Sequence, residues 1–335
     1  MLVTEEQKRE RIARRIALEL RDGSRRNEHR LKSVLLAALA LAAALFVPTT
    51  PLRADSNSFD GARAYEHVRH LVEIGPRPPD SDGIRRAQGY IIGQLKSYGC
   101  PVEEHDFHAS TALGNLAMKN IVVKLPGARP GIILYTTHYD TVRIPNFVGA
   151  DDGGSGTGTM LELARLFCAR KNSLNVWIAF FDGEEAQGNW KDGATVQWNN
   201  DGSNNTFGSR EMAARMALSG ELKRVKAMIL ADMIGPRNAQ ITRDTNSTAW
   251  LTDFIWATAA ELGHQGTFIE KDYPVSGDDH FSFIRRGVAG CDLIDFSVPY
   301  WHTPQDTLDK IDTKSLGIVG KVLAATLPRF EKKFQ

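Results

Sequence analysis

The stretch GIILYTTHYDTVRIPNFVGADDGGSG, from Gly131 to Gly156, decides how the chain is read. Its opening, Gly131 to Thr137, is a short apolar run of the kind that forms a buried strand. The run ends in His138-Tyr139-Asp140. A glycine-rich turn, Gly149-Ala150-Asp151-Asp152-Gly153-Gly154-Ser155-Gly156, then leads into a helix read over 156–168. A strand, polar groups at its carboxyl end and a helix beyond make one unit of an α/β sheet, and in such sheets ligands bind past the carboxyl ends of the strands.

The same alternation extends in both directions. Apolar runs at 120–124, 175–181, 228–232 and 289–296 read as further strands. Helical patterns cover 62–73, 84–98, 208–217, 248–262 and 313–328, the second with Asp82 as its cap and Gly99 as its stop. This order predicts one globular α/β domain over 55–335, with a central, mostly parallel mixed sheet flanked by helices. No repeat or low-complexity stretch interrupts it.

Composition fits that reading. Of 335 residues, 42% are hydrophobic and 24% charged, which excludes wholesale disorder and a polytopic membrane protein. Lys and Arg number 41 against 40 Asp and Glu, so no global field draws in nucleic acid, and none is expected as a partner. Three cysteines, Cys100, Cys168 and Cys291, allow at most one disulfide and match no zinc ribbon.

Charge is uneven at the start of the chain. Residues 1–32 carry ten Lys or Arg and six Asp or Glu, and Ser33 to Leu52 follow as twenty residues with no charge. With Lys32 and Arg53 as flanks, 33–52 reads either as a single membrane anchor or as the apolar region of a signal peptide cleaved after Ala54. The positive-inside rule sends 55–335 outward, so that domain is expected to be extracytoplasmic, anchored or secreted.

Acids and histidines stand after each apolar run: His138 and Asp140, Asp152, Asp182-Gly183-Glu184-Glu185, Asp232, and His302 after the last strand. Singly, such acids serve as helix caps or solvated loop residues. Two histidines with several carboxylates form a donor set suited to Zn²⁺. Adjacent side chains in an extended segment point apart, so one of Glu184 and Glu185 can ligate while the other moves protons.

These motifs resemble the M28 family of zinc aminopeptidases and, more closely, the animal-type glutaminyl-peptide cyclotransferases, over about residues 59–320. The family pattern is His138-Tyr139-Asp140, Gly149-Ala150-x-Asp152, Glu184-Glu185, Asp232 and His302. The cyclase-like signs are Gly75-Pro76-Arg77-Pro78-Pro79, the run Phe180 to Ala186 with Trp190, Gly208-Ser209-Arg210, the segment Asp278 to Val288, and Trp301-His302-Thr303. The cyclase resemblance implies one zinc on Asp152, Glu185 and His302, Glu184 as proton shuttle, Asp232 and Asp278 as its hydrogen-bond partners, and Trp190 and Trp301 around the substrate's N-terminal side chain. The substrates it implies are peptide or protein N-termini, with Gln or Glu converted to pyroglutamate and ammonia or water released. The aminopeptidase alternative implies two zincs, His138 and Asp232 joining as ligands and Asp152 bridging. Asp292 stands where animal cyclases carry histidine. Gly153-Gly154-Ser155-Gly156 and the run His302 to Thr307 read more like the peptidases.

Other conspicuous residues take plainer readings. His67, His70, His105, His108 and His264 read as surface or packing residues, and 191–207 as an exposed loop at the mouth with Trp198 as a substrate contact. Ser155 lacks the Gly-x-Ser-x-Gly elbow of a serine hydrolase, and the glycine run lacks the Gly-Lys-Ser/Thr of a phosphate loop.

Overall fold

A computed structural model describes residues 58–188, 198–199 and 202–335, with Glu10, Arg11 and Arg14 before them. The chain divides after Ala54, and the unit Asp55–Gln335 carries all that follows. The uncharged segment 33–52 and Trp190 lie outside the described residues, as does nearly all of 1–32. Among the described residues, no helix is long and apolar enough to cross a membrane.

Two helices open the unit. In α1 (Gly61–Ile74) the Asp60 side chain caps the Ala62 N–H, and in α2 (Asp82–Ser97) the Ser81 hydroxyl caps the Ile84 N–H. The sequence pointed to Asp82 as the second cap. Instead Asp82 is the first helical residue and pairs with Arg85 at 2.7 Å, because the serine one position earlier already serves the free N–H.

A hairpin of β1 (Val102–Thr111) and β2 (Gly114–Leu125) leads to β3 (Gly127–His138), α3 (Gly154–Cys168), β4 (Asn172–Phe181), α4 (Phe207–Ser219) and β5 (Val225–Ala231). A small parallel pair, β6 (Ile241–Asp244) and β7 (Phe268–Tyr273), brackets α5 (Ala249–Glu261). The short α6 (Phe281–Ile284), β8 (Gly290–Leu293) and α7 (Thr313–Lys333) complete the unit. The main sheet has the order β1-β2-β4-β3-β5-β8, antiparallel at β1/β2 and β2/β4 and parallel at β4/β3, β3/β5 and β5/β8. It is the mixed, mostly parallel sheet the sequence implies.

Residues alternate between two cores, as a pleated strand requires. Ile133, Tyr135, Ile178, Phe180 and Ile229 face a core built with α1, α2, α3, α5 and α7. Ile132, Leu134, Trp177, Ala179 and Leu230 face the other, against Met212 and Met216 of α4 and Phe283 of α6. Burial on both faces explains the unbroken apolar runs of β3, β4 and β5.

The fold fixes the site through its connections. From β3 the chain crosses to β4 by way of α3, then returns past β3 to β5 by way of α4. The carboxyl end of β3, at His138, is therefore a topological switch point, where such sheets open a crevice. Gly156 lets α3 press against that end. A Cβ there would sit 2.2 Å from Thr137 Oγ1 and 2.3 Å from the Ala231 carbonyl. Behind α3, Cys168 is disulfide-bonded to Cys100 after α2, and Cys291 is free and buried.

Candidate active site

Four strand ends converge on one crevice. His138 closes β3, Asp182 to Glu185 follow β4, Asp232 follows β5, and a loop after β8 returns His302. A cavity of about 360 Å³ opens there, lined by Asp152, Glu184, Asp232, Asp278, Trp301 and His302 among others. Glu185 is fully buried beneath it.

Two triads with metal-ligating atoms share Asp152. In one, His302 Nε2 lies 3.1 Å from Glu185 Oε2 and 3.4 Å from Asp152 Oδ2. Both of those carboxylate oxygens are buried without a hydrogen-bond partner. In the other, His138 Nε2 lies 3.2 Å from Asp152 Oδ1 and hydrogen bonds to Asp232 Oδ1 at 3.1 Å. Each triad could hold a metal ion.

The two glutamate side chains point to different sides. Glu185 Oε1 accepts the Val142 N–H at 3.0 Å, leaving Oε2 for the His302 triad. Glu184 turns to the cavity, its Oε2 3.8 Å from His138 Nδ1. Asp140 places both, accepting the backbone N–H of Glu184 at 3.1 Å and of Glu185 at 3.3 Å. The returning loop completes the clamp: Thr206 and Phe207 donate to the Glu184 and Gly183 carbonyls, each at 2.8 Å.

The neighbouring aspartates are separated in the same way. Asp151 is satisfied by the Gly235 N–H at 2.9 Å and the Tyr300 hydroxyl at 3.1 Å. Asp306 accepts the N–H groups of Asp151 and Asp152, at 2.9 and 3.0 Å, and so aims Asp152 into the crevice. Arg77, fully buried, donates to the carbonyls of Tyr139, Val148 and Gly149 and holds the loop from below.

Burial and charge tune these groups. Burial, reinforced by Asp278 and Glu185, pushes the Glu184 carboxyl well above the usual range, although His138 opposes it. Burial likewise raises Glu185, to about 7, against the pull of His302. Burial would raise Asp152 too, but the neighbouring His138 and His302 imidazoles outweigh it and hold that carboxyl below the usual range. His302, despite burial, is raised to about 10 by Glu185 and Asp152. A carboxyl raised well above its usual range and facing a cavity is a candidate for exchanging protons there.

Backbone strain marks the same place. His302 has φ 52° and Met233, just after Asp232, φ 42°. Left-handed conformations at side chains of this size cost about 1–3 kcal/mol each and tend to cluster at active sites.

Of the residues singled out in the sequence, Asp152, Glu184, Glu185, Asp232, Asp278, Trp301 and His302 meet at this crevice, with His138 beneath it. Trp301 is 42% exposed and stacks on His302 at 4.1 Å, while Trp198 lines the mouth. His67 packs between Tyr90 and Tyr98, and His105 faces Glu103, so the plain readings of those histidines hold. The structuring roles of Asp140, Asp151, Asp306 and Arg77 were not assigned from sequence. Only the composition of their motifs signalled them.

The model of peptidase family M28 matches residues 120–327. The glutaminyl-peptide cyclotransferase of Boiga irregularis is 28% identical over 292 residues, covering 76% of this chain and 76% of that protein. The structure of an Acidobacteriales bacterium glutaminyl cyclase superposes with a TM-score of 0.75 at 35% identity, covering 85% of this chain and 99% of that one. A Zn-dependent exopeptidase from Parabacteroides distasonis is also similar, with a TM-score of 0.72 at 26% identity over 81% of this chain and 98% of its own. The crevice, its two triads and these likenesses agree: the chain belongs to peptidase family M28, as a glutaminyl cyclase-like enzyme within it.

Proposed function

We propose that this protein converts N-terminal Gln, and more slowly Glu, of peptides into pyroglutamate, with one zinc held by Asp152, Glu185 and His302. The observation that carries the reading is the contrast between the triads. Asp152 Oδ2 and Glu185 Oε2 are buried without a formed hydrogen bond and face His302 Nε2 at 3.4 and 3.1 Å, whereas His138 Nε2 is hydrogen bonded to Asp232. Unpartnered buried carboxylate oxygens beside an imidazole fit a divalent cation.

A zinc ion at that triad supplies Lewis-acid polarisation of the substrate's γ-carbonyl. Glu184 takes a proton from the α-amine as its nitrogen forms the bond to the γ-carbon, then delivers one as the carbon–nitrogen bond to ammonia breaks. Asp232 and Asp278, on the same cavity wall, accept hydrogen bonds from the substrate's nitrogens and orient the amine. Trp301, stacked on His302, offers an apolar wall to the short amide side chain and excludes water. Trp190, although outside the described residues, is assigned the same pocket by the family resemblance.

A two-zinc aminopeptidase is the second reading, favoured by the complete His138–Asp152–Asp232 triad. Zinc stoichiometry beside ammonia release from Gln-initiated and amino-acid release from Leu-initiated peptides separates the two. One zinc with ammonia supports the cyclase; two zincs with free leucine overturn it.

The segment 33–52 is proposed to span or enter the membrane and to place the domain on the extracytoplasmic side. Its twenty uncharged residues between Lys32 and Arg53 support this. So does the Cys100–Cys168 disulfide, since such bonds persist in oxidising compartments. Sedimentation of the intact chain with membranes, or trimming near Ala54, is the expected result, and an intact chain wholly in the cytosol would refute it.

A further inference from the structure

Behind the Asp278 wall of the crevice lies a second set of buried acids that the proposed reaction does not use. Asp292, on β8, is fully buried, and one of its carboxyl oxygens lies within 4.8 Å of a carboxyl oxygen of Asp278. Neither of its oxygens has a hydrogen-bond partner. Two buried carboxyl groups this close repel each other unless one carries a proton, which can then bridge them.

Among the described residues, no Lys, Arg or His side chain hydrogen bonds to either Asp292 carboxyl oxygen. From the end of β6, Asp244 faces His280, its Oδ2 3.2 Å from His280 Nε2. Just after β5 and just before α6, Asp232 and Asp279 add two further carboxyl groups, both Asp279 oxygens being buried without a hydrogen-bond partner. The adjacent Cys291 thiol is pushed up to about 12 by burial. His280, fully buried, is the imidazole nearest the pair, and no hydrogen bond joins it to Asp292.

The geometry points to Asp292 as a protonated carboxylic acid that donates to Asp278 and holds it, as a carboxylate, on the cavity wall beside Glu184. The proton belongs on Asp292 because Asp278 has the better site for charge. Asp278 accepts the Asp279 N–H and reaches the cavity, whereas Asp292 has neither a donor nor solvent. Consistently, burial and Asp278 raise Asp292 well above the usual range, and Asp278 only to about 6 by burial and Asp232. Asp292 is thus a positioning residue, acting on substrate through Asp278. This role rests on the proposed cyclase reading.

The test compares Asp292→Asn, which keeps a donor without charge, with Asp292→Leu, which removes it. Both are loaded with zinc and assayed for ammonia release from a Gln-initiated peptide. The asparagine variant should stay within about threefold of wild type with unchanged zinc content, and the leucine variant should lose at least ~10-fold in kcat, the scale of a lost hydrogen bond to a charged group. Infrared difference spectra of wild type minus Asp292→Asn, recorded without substrate, should show a carboxylic-acid C=O band. The inference is overturned if that band is missing, if Asp292→Asn fails as badly as Asp292→Leu, or if it loses a metal ion, which would make Asp278, His280 and Asp292 a cation site. Should the leucine variant not fold, the infrared band and the asparagine variant still decide. A wild-type protein that releases free amino acid instead of ammonia refutes the cyclase reading, while the infrared result judges the shared proton independently.

Discussion

The two triads around Asp152 differ in what they leave unsatisfied. On the His302 side, two buried carboxylate oxygens face the ring nitrogen of His302 at 3.1 and 3.4 Å without a formed hydrogen bond. On the His138 side, the imidazole and Asp232 close on each other at 3.1 Å, and Asp140 lies 3.5 Å from the other ring nitrogen. The same aspartate therefore joins the cluster proposed to hold the metal and one whose imidazole is already hydrogen bonded to Asp232. Completeness of a ligand set and demand for a metal are separate properties, and a sequence displays only the first.

The largest effect should come from the side proposed to hold the cation. Glu185→Ala or His302→Ala should lose zinc and reduce turnover by about 10³-fold or more, since Lewis-acid stabilisation amounts to several kcal/mol. Retained zinc and activity in both would erase the contrast between the triads.

Next in size is Glu184→Gln, which keeps shape but removes the base. Turnover should fall about 10² to 10⁴-fold while zinc stays bound, as measured by metal analysis beside the ammonia assay. Loss of zinc in this variant would move Glu184 from proton carrier to ligand.

Asp232→Asn sharpens the comparison from the other side. Zinc content should not change, and activity should drop about 10 to 100-fold through misorientation of His138 and substrate. A fall by one zinc per chain would convert the paired triad into a second metal site.

The metal should also respond to pH in a direction the two sides set. The folded-state pKa values of His302, raised to about 10, and Glu185, raised to about 7, mean that protons compete with zinc at that triad. Zinc affinity should therefore rise as pH increases from about 5 to 8, measured by competition with a chelating dye. An affinity flat across that range would contradict the assigned ligands.

The smallest effect on activity lies away from both triads. Cys100→Ser should lower stability by up to about 4 kcal/mol in the chain-entropy account of a 68-residue loop, seen as a lower Tm, with zinc content and kcat unchanged.

How much of this was legible in the sequence follows from what each residue type can signal. Strands β3, β4 and β5 are apolar on both faces, so their runs stood out, and the acids at their ends were conspicuous by contrast. Strand β1, Val-Glu-Glu-His-Asp-Phe-His-Ala-Ser-Thr, sits at the sheet edge with only Ala109 buried and carried no such run. Neither did the short pair β6 and β7, whose pairing depends on the segment between them. The final strand was read as 289–296 but pairs only over Gly290–Leu293, because the chain must turn away to bring Asp295 under Gln240 and later His302 to the crevice. At the site, ligand types at strand ends were readable. The supporting contacts were not: Arg77 serves carbonyls some seventy residues distant, and the choice between Asp151 and Asp152 rests on Tyr300, Gly235 and Asp306.

In the proposed cyclase reaction the Asp152–Glu185–His302 triad and Glu184 close a ring on the substrate instead of delivering water to its first peptide bond. Mass spectrometry of a Gln-initiated peptide incubated with the zinc-loaded 55–335 unit tests it directly. The account predicts a peptide of unchanged residue count that has lost one ammonia. A peptide shortened by one residue, with free glutamine beside it, would contradict the account.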